Sequence, residues 1–216
     1  MEIAYNVGMI ALVLTVLAVF LMLLGSEFWW RRHIMHSEFS RKFIHITVGS
    51  FVAFWPFYLS WNQIRLLSLS FLVVVGISKY FRLFRAIHSV QRPTIGELYF
   101  ALAVGAVTLL THDKWIYMAS LLQMSLADGF AAVMGVRFGK QSYLVFSHRK
   151  SFIGSLTFFV VSLAILISYT NLAAAHLNPF FMIGAAALVA VIENFAVAGL
   201  DNLVVPIVIA LLLINH

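Results

Sequence analysis

Three acidic residues lie inside or beside runs of sequence that are otherwise apolar. Asp128, in the segment SLADGFAAVMGVRFGK, precedes Arg137 by nine residues, which is about 13 Å along a helix. A carboxylate in hydrocarbon costs about 3 kcal/mol on insertion scales, so an acid at this depth usually serves a function. Glu193 and Asp201 lie eight residues apart around a second turn. Because Mg²⁺ prefers carboxylate, water and phosphate oxygens, we expect Asp128, helped by Glu193 or Asp201, to bind Mg²⁺.

Small residues follow Asp128 on the same helical face. Gly135 and Gly139 come seven and eleven residues after it, so all three share one side of a helix. Small residues let a ligand or a neighbouring helix approach the backbone closely. The pattern therefore fits either a binding site or a packing seam in which the acid is hydrogen-bonded to a partner helix. Asp201, which is followed by Asn202, could likewise cap the last helix instead of binding a metal.

A basic loop follows this segment and leads into a helix start that is rich in small residues. Lys140 and Lys150 flank the loop, and Ser151, Gly154 and Ser155 come next. Cations followed by the free amides and hydroxyls of a helix start are suited to binding phosphate. The alternative is an ordinary loop whose charges only orient the chain in a membrane. The loop is not a Walker A motif, because no Ser or Thr follows the first lysine.

A second candidate group stands in the segment RKFIHITVGS. Arg41, His45 and Gly49 recur every four residues, which places a cation, an imidazole and a gap on one helical face. With Lys42, this face could contact phosphate, and His45 could accept a proton from a reacting hydroxyl. A histidine hydrogen-bonded to a neighbouring carbonyl is the alternative. Glu97, at the start of a later apolar run, is either a second candidate base or a helix cap.

The composition predicts what positions these residues. Of the 216 residues, 62% are hydrophobic and 10% are charged, which is far too apolar for the surface of a soluble domain. With no cysteine, disulfides, thiolate metal sites and cysteine nucleophiles are excluded. We expect one all-α transmembrane domain over residues 1–216, a polytopic bundle of about seven or eight membrane-spanning helices. The candidate spans are 5–25, 43–60, 63–79, 95–111, 115–136, 152–170, 180–198 and 203–214.

The basic residues predict the orientation of the chain. If all spans are real, twelve of the fourteen Lys and Arg residues fall in loops on one side, and only Arg65 and Lys114 fall opposite. Basic loops stay in the cytoplasm, so the N-terminus is expected to be extracytoplasmic and the candidate site cytoplasmic. Topology thus accounts for the net charge of +6, and we expect no nucleic-acid partner.

The same motifs, in order, resemble one enzyme family. RKFIHITVGS, PTIGELYF, ADGFAAVMGVRFGK with RKSFIGS, and IENFAVAGLDNLVVP are similar to segments of the phytol kinase and dolichol kinase family. Residues 1–38 carry no resemblance. The family consists of polytopic membrane enzymes that phosphorylate lipid alcohols, typically with CTP. Phosphatidate cytidylyltransferases are distant relatives, but the terminal DNLVVP is more similar to the kinases.

The resemblance implies a CTP-dependent kinase for a polyprenol, dolichol or phytol-like alcohol. Asp128 would bind Mg²⁺ on the nucleotide, and His45 or Glu97 would orient or deprotonate the alcohol. Two other functions stay open: a cytidylyltransferase that releases pyrophosphate, and an ion-coupled transporter in which the acids bind the ion. The residues expected to hold the nucleotide phosphates are Arg41, Lys42, Lys140, Lys150, Ser151, Gly154 and Ser155.

Overall fold

The computed structural model describes most of the chain. The described backbone covers residues 2–32, 37–81, 95–146 and 148–216. Side chains are described for residues 6–26, 28, 42–77, 95–146 and 149–216.

Eight helices form in this part of the chain, one for each apolar run of the sequence. Their bounds are α1 Glu2–Arg32, α2 Ser37–Ala53, α3 Trp61–Phe81, α4 Gly96–Leu110, α5 Lys114–Phe138, α6 Phe152–Leu172, α7 Pro179–Phe195 and α8 Asp201–Ile214. The expectation of an all-α bundle is therefore confirmed in outline. The second run ends earlier than expected, at Ala53, because a 3₁₀ turn at Trp55–Phe57 contains Pro56, which cannot donate the backbone hydrogen bond that would continue a helix.

Among the described residues, three helices are long and apolar enough to cross a membrane. They contain the runs Asn6–Ser26, Lys114–Phe138 and Phe152–Leu172. Four other apolar helices have runs of 10–17 residues: Trp61–Ile77, Gly96–Leu110, Pro179–Phe195 and Asp201–Ile214. These lengths support membrane association. The count of seven or eight spans and the extracytoplasmic N-terminus stay predictions.

The basic loop contains a short hairpin that the sequence did not predict. Strand β1, Ser142–Val145, pairs antiparallel with β2, His148–Ser151, and Tyr143 lies opposite Lys150. The hairpin is a local addition to a bundle that is otherwise helical, as expected. Tyr143 and Val145 have a high propensity for strands, but the surrounding lysines and arginines indicated a loop.

Helix α5 is the central element of the bundle. It packs against α2, α6 and α8, and Tyr117, Leu121 and Met124 on its first half are fully buried. Helix α1 lies at the periphery, since only 6% of its apolar run is buried. The second half of α5 carries Asp128 from this core toward the hairpin.

Candidate active site

A wide turn of π-helix directly precedes Asp128. It spans Gln123–Ala127 within α5, and such turns are frequent at functional sites because they redirect the side chains that follow. His45 Nε2 donates a hydrogen bond to the Met124 carbonyl of this turn at 3.1 Å, and the same nitrogen lies 3.8 Å from Asp128 Oδ2. The alternative considered for His45, a carbonyl partner, is therefore present. The imidazole is nevertheless held beside the acid.

The three predicted acids meet at one point. Asp128 comes from α5, Glu193 from the end of α7 and Asp201 from the start of α8. One carboxylate oxygen from each lies within 4.8 Å of the others. Asp128 and Glu193 are buried, and Asp201 is half-buried. Residues that are far apart in the sequence thus form a single carboxylate cluster.

Two lysines form ion pairs with this cluster. Lys42 on α2 pairs with Asp128, and Lys150 on β2 pairs with Glu193. Asp201 makes no ion pair with any described side chain. Burial alone would lower the pKa of Lys150, but the neighbouring carboxylates, Glu193 foremost, outweigh it and raise that pKa above its ordinary value. Three carboxylates and two ammonium groups leave one net negative charge.

This donor set fits the predicted divalent cation. Oxygens on opposite sides of Mg²⁺ are about 4.2 Å apart, since each bond is about 2.1 Å long. The carboxylate oxygens already lie within 4.8 Å, and the net negative charge favours a cation. Asp128, Glu193 and Asp201 would be its protein ligands.

The glycines predicted around Asp128 form a helix seam. A Cβ on Gly135 would lie 2.8 Å from Ser151 Oγ and 3.5 Å from the Cα of Gly154, so α5 and α6 approach closely there. A Cβ on Gly139 would also lie 2.8 Å from Ser151 Oγ. Gly135, Gly139 and Gly154 thus form a close packing seam, and this seam, like Asp128, is also part of a cavity wall.

The two serines at the start of α6 already have partners. Ser151 Oγ accepts from the Gly154 N–H at 3.0 Å and so caps the helix. Ser155 Oγ donates to Asn194 Oδ1 at 2.9 Å, and the Tyr143 hydroxyl donates to the same oxygen at 2.7 Å. Contacts of either serine with phosphate therefore stay predictions.

The hydrogen bonds of Tyr143 and Asn194 were missed at the sequence level. Tyr143 lies opposite Lys150 in the hairpin, and Asn194 follows Glu193 at the end of α7. The Tyr143–Asn194 hydrogen bond and the Lys150–Glu193 ion pair therefore join the hairpin to α7, and we call these two contacts the hairpin latch. The sequence signal for these bonds is the polar Asn194 inside an apolar run, directly after Glu193.

The remaining predicted cations are distributed unevenly. Lys140 is exposed and does not line the cavity. Arg149, which was not singled out as a ligand, does line it, and its Nε donates to Ser142 Oγ at 2.7 Å. Arg41 belongs to α2, but its side chain lies outside the described residues. Arg149 therefore replaces Lys140 among the cations that reach the cavity from the hairpin segment.

Asn202 brings the starts of α4 and α8 together. Its Nδ2 donates to the Gly96 carbonyl at 3.1 Å. Gly199 has a φ of +88°, and a Cβ there would lie 2.6 Å from the Gly96 Cα, so glycine is required at this contact. As a result Glu97 and Asp201, on neighbouring helix starts, both line the cavity.

Every site residue predicted from the sequence, except Lys140 and Arg41 with its undescribed side chain, lines one cavity of about 980 Å³. Its polar lining includes Lys42, His45, Glu97, Asp128, Arg149, Lys150, Ser151, Ser155, Glu193, Asp201 and Asn202. Its large apolar side chains include Leu23, Ile44, Val48, Phe71, Val75 and Phe100. The cavity is therefore amphiphilic, with charged and hydrocarbon walls in one continuous space.

No protein-family profile and no solved structure matches the chain, but named proteins do. A phytol kinase of Synechocystis is 28% identical over 197 residues, which cover 88% of this chain and 84% of the relative. Phytol kinase 1, chloroplastic, of Arabidopsis thaliana is 27% identical over 210 residues, which cover 86% of this chain and 69% of the relative. A probable phytol kinase, chloroplastic, of Triticum aestivum is 30% identical over 200 residues, which cover 82% of this chain and 66% of the relative. These similarities along most of the chain support its assignment to the phytol kinase family.

Proposed function

We propose that this protein is a membrane kinase that transfers a phosphoryl group from CTP to the hydroxyl of a phytol-like isoprenoid alcohol. The observation that carries the proposal is the buried carboxylate cluster, with its two lysines, in the wall of a cavity that also has hydrocarbon sides. Named relatives along most of the chain are phytol kinases.

The cations around the carboxylate cluster suit a nucleotide triphosphate. Lys42, Arg149 and Lys150 all line the cavity, and each can donate to phosphate oxygens. Phosphoryl transfer depends mainly on positioning and charge neutralisation. When bound at the carboxylate cluster, Mg²⁺ would supply part of that neutralisation. Asp128, Glu193 and Asp201 would fix the position of the phosphates relative to the acceptor.

The acceptor hydroxyl requires a group that takes up its proton. Its oxygen forms the new bond to the terminal phosphorus, the bond to the leaving CDP breaks, and the proton passes to a base. Because His45 Nε2 donates to Met124, Nδ1 is the accepting nitrogen of the neutral ring. Glu97, at the same cavity, is the second candidate.

We also propose that the cavity faces the cytoplasm and that the chain crosses the membrane seven or eight times. The absence of cysteine makes this easy to test, because single cysteines can be introduced at the exposed Lys140 and Lys114. A membrane-impermeant maleimide should label position 140 from the cytoplasmic side and position 114 from the other. The reverse pattern would overturn the orientation.

The activity can be tested with purified protein in detergent, Mg²⁺ and CTP labelled at the γ-phosphate. Phytol, geranylgeraniol, a dolichol and phosphatidate would be offered separately. We expect label to move to an isoprenoid alcohol, and Asp128→Asn to abolish transfer while the protein still elutes as a folded species. Label recovered in pyrophosphate with phosphatidate would instead identify a cytidylyltransferase. No turnover with any acceptor would contradict the proposal.

A further inference from the structure

Most of the large apolar side chains that line the cavity come from the first four helices. Leu23 on α1, Val48 on α2, Phe71 and Val75 on α3 and Phe100 on α4 all line it. Val48, Val75 and Phe100 are buried, and Leu23 and Phe71 are half-buried. We call this part of the cavity the apolar arm. It contains no ionisable side chain, whereas the remaining cavity wall carries the acids and cations.

Aromatic contacts connect the apolar arm to the polar groups. The His45 and Phe100 ring centroids are 5.8 Å apart, and those of Phe100 and Phe71 are 6.3 Å apart, both edge-to-face. Gly49 lies at the junction, where a Cβ would collide with Ser125 and lie 3.4 Å from the Phe100 ring. Because His45, Phe100 and Phe71 all line the cavity, a molecule with its hydroxyl beside His45 can extend its carbon chain past Phe100 toward Phe71.

The cavity lies at the upper end of the size range for ligand pockets, and its two parts differ in chemistry. Pockets for a single small molecule run from about 300 to about 1,000 Å³, and this cavity measures about 980 Å³. A hydrocarbon chain beside the three carboxylates and the lysines would displace their water without replacing its hydrogen bonds, which is unfavourable. The apolar arm would in turn give no hydrogen bond to a triphosphate. The two parts thus suit two different chemical groups.

We propose that the apolar arm binds the hydrocarbon tail of the acceptor alcohol and that Val75 limits the bulk of tail it admits. This proposal rests on the proposed function for the identity of the acceptor. Val75 is 5% exposed and lies one helical turn from Phe71, so the two side chains share one face of α3. A larger residue at position 75 would occupy the space of the tail.

The test uses Val75→Phe with Val74→Phe as its matched control, because Val74 is 55% exposed and does not line the cavity. The probe is a C20 isoprenoid alcohol with a diazirine near its tail end, and cross-linked peptides are identified by mass spectrometry. We expect cross-links to the 61–77 segment or to Leu23. Val75→Phe should lose at least tenfold in labelling and raise KM tenfold for a C20 alcohol but less than threefold for a C10 alcohol. Val74→Phe should match the unmodified protein.

The outcomes separate this proposal from the proposed function. Cross-links at the apolar arm without phosphoryl transfer would overturn the kinase and support the tail site. Phosphoryl transfer with cross-links elsewhere, or equal losses in both variants, would overturn the tail site alone. If Val75→Phe does not fold, Phe71→Ala serves instead. By enlarging the arm it should lower KM for a bulkier branched alcohol relative to the C20 alcohol, and an unchanged KM ratio would refute the proposal.

Discussion

The ion pair between Lys150 and Glu193 should contribute measurably to stability as well as to the site. Their side chains are 24% and 7% exposed, so the pair is mostly shielded from water. Removing one partner of a buried pair costs about 3 to 5 kcal/mol, because the other charge is left uncompensated. Glu193→Gln removes the charge but keeps an oxygen that can accept from the Lys150 ammonium group.

Two features of the site reduce that cost. The amide keeps one hydrogen bond, and the carboxylates of Asp128 and Asp201 also favour the charged form of Lys150. We therefore expect Glu193→Gln to lower the free energy of unfolding by about 2 kcal/mol, below the range for a fully isolated charge. For a chain of this size the corresponding decrease in Tm is about 4 to 8 °C.

A double-mutant cycle isolates the pair. Glu193→Gln, Lys150→Met and the double variant would be compared by thermal unfolding in the same detergent, with phosphoryl transfer measured on each. The double variant should be more stable than the sum of the single effects predicts, by about 2 kcal/mol. It should nevertheless stay inactive, because both groups belong to the proposed site. Additive effects within about 0.3 kcal/mol, or an active double variant, would refute the reasoning.

Two further predictions concern contacts that hold the site in place. Tyr143→Phe should lower the free energy of unfolding by about 0.5 to 1.5 kcal/mol, because Asn194 Oδ1 loses one donor and keeps the other, Ser155; an unchanged Tm would show that the Tyr143–Asn194 hydrogen bond is not formed. Gly135→Ala should lower Tm, because its Cβ would press on Ser151. Gly184→Ala, whose Cβ meets no described atom within 4 Å, should raise Tm, because alanine in a helix increases the free energy of unfolding by about 0.5 to 1 kcal/mol relative to glycine. Equal shifts in the two alanine variants would contradict a close seam between α5 and α6.

The sequence predicted the helices and the carboxylate cluster because both depend on signals carried by single segments. Apolar runs of helical length marked every helix, and an acid inside such a run has few explanations other than a site. The meeting of Asp128, Glu193 and Asp201 could be anticipated from the loop charges, which placed the ends of their helices on one side of the membrane.

What the sequence did not predict depends on pairing between distant residues. Nothing in one sequence indicates that Lys42 contacts Asp128 or that Lys150 contacts Glu193. The partners of the two serines were also not predicted: Ser151 caps its own helix, as a hydroxyl at a helix start usually does, and Ser155 donates to Asn194. Their contacts with phosphate stay predictions. The hairpin was not predicted, because strands of four residues are too short for their pattern of apolar and polar residues to be distinguished from that of a loop.

The number of residues in the π turn of α5 determines the direction in which Asp128 points. It lies between the core residues Tyr117 and Leu121 on one side and Asp128 on the other, within a single helix. Each residue advances an α-helix by about 100°, so deleting one residue from Gln123–Ala127 would turn Asp128 away from Glu193 while the first half of α5 kept its packing. The π turn thus sets the rotation of the second half of the helix relative to the first. A variant that lacks one residue here would still fold as a bundle, but it would have no functional site.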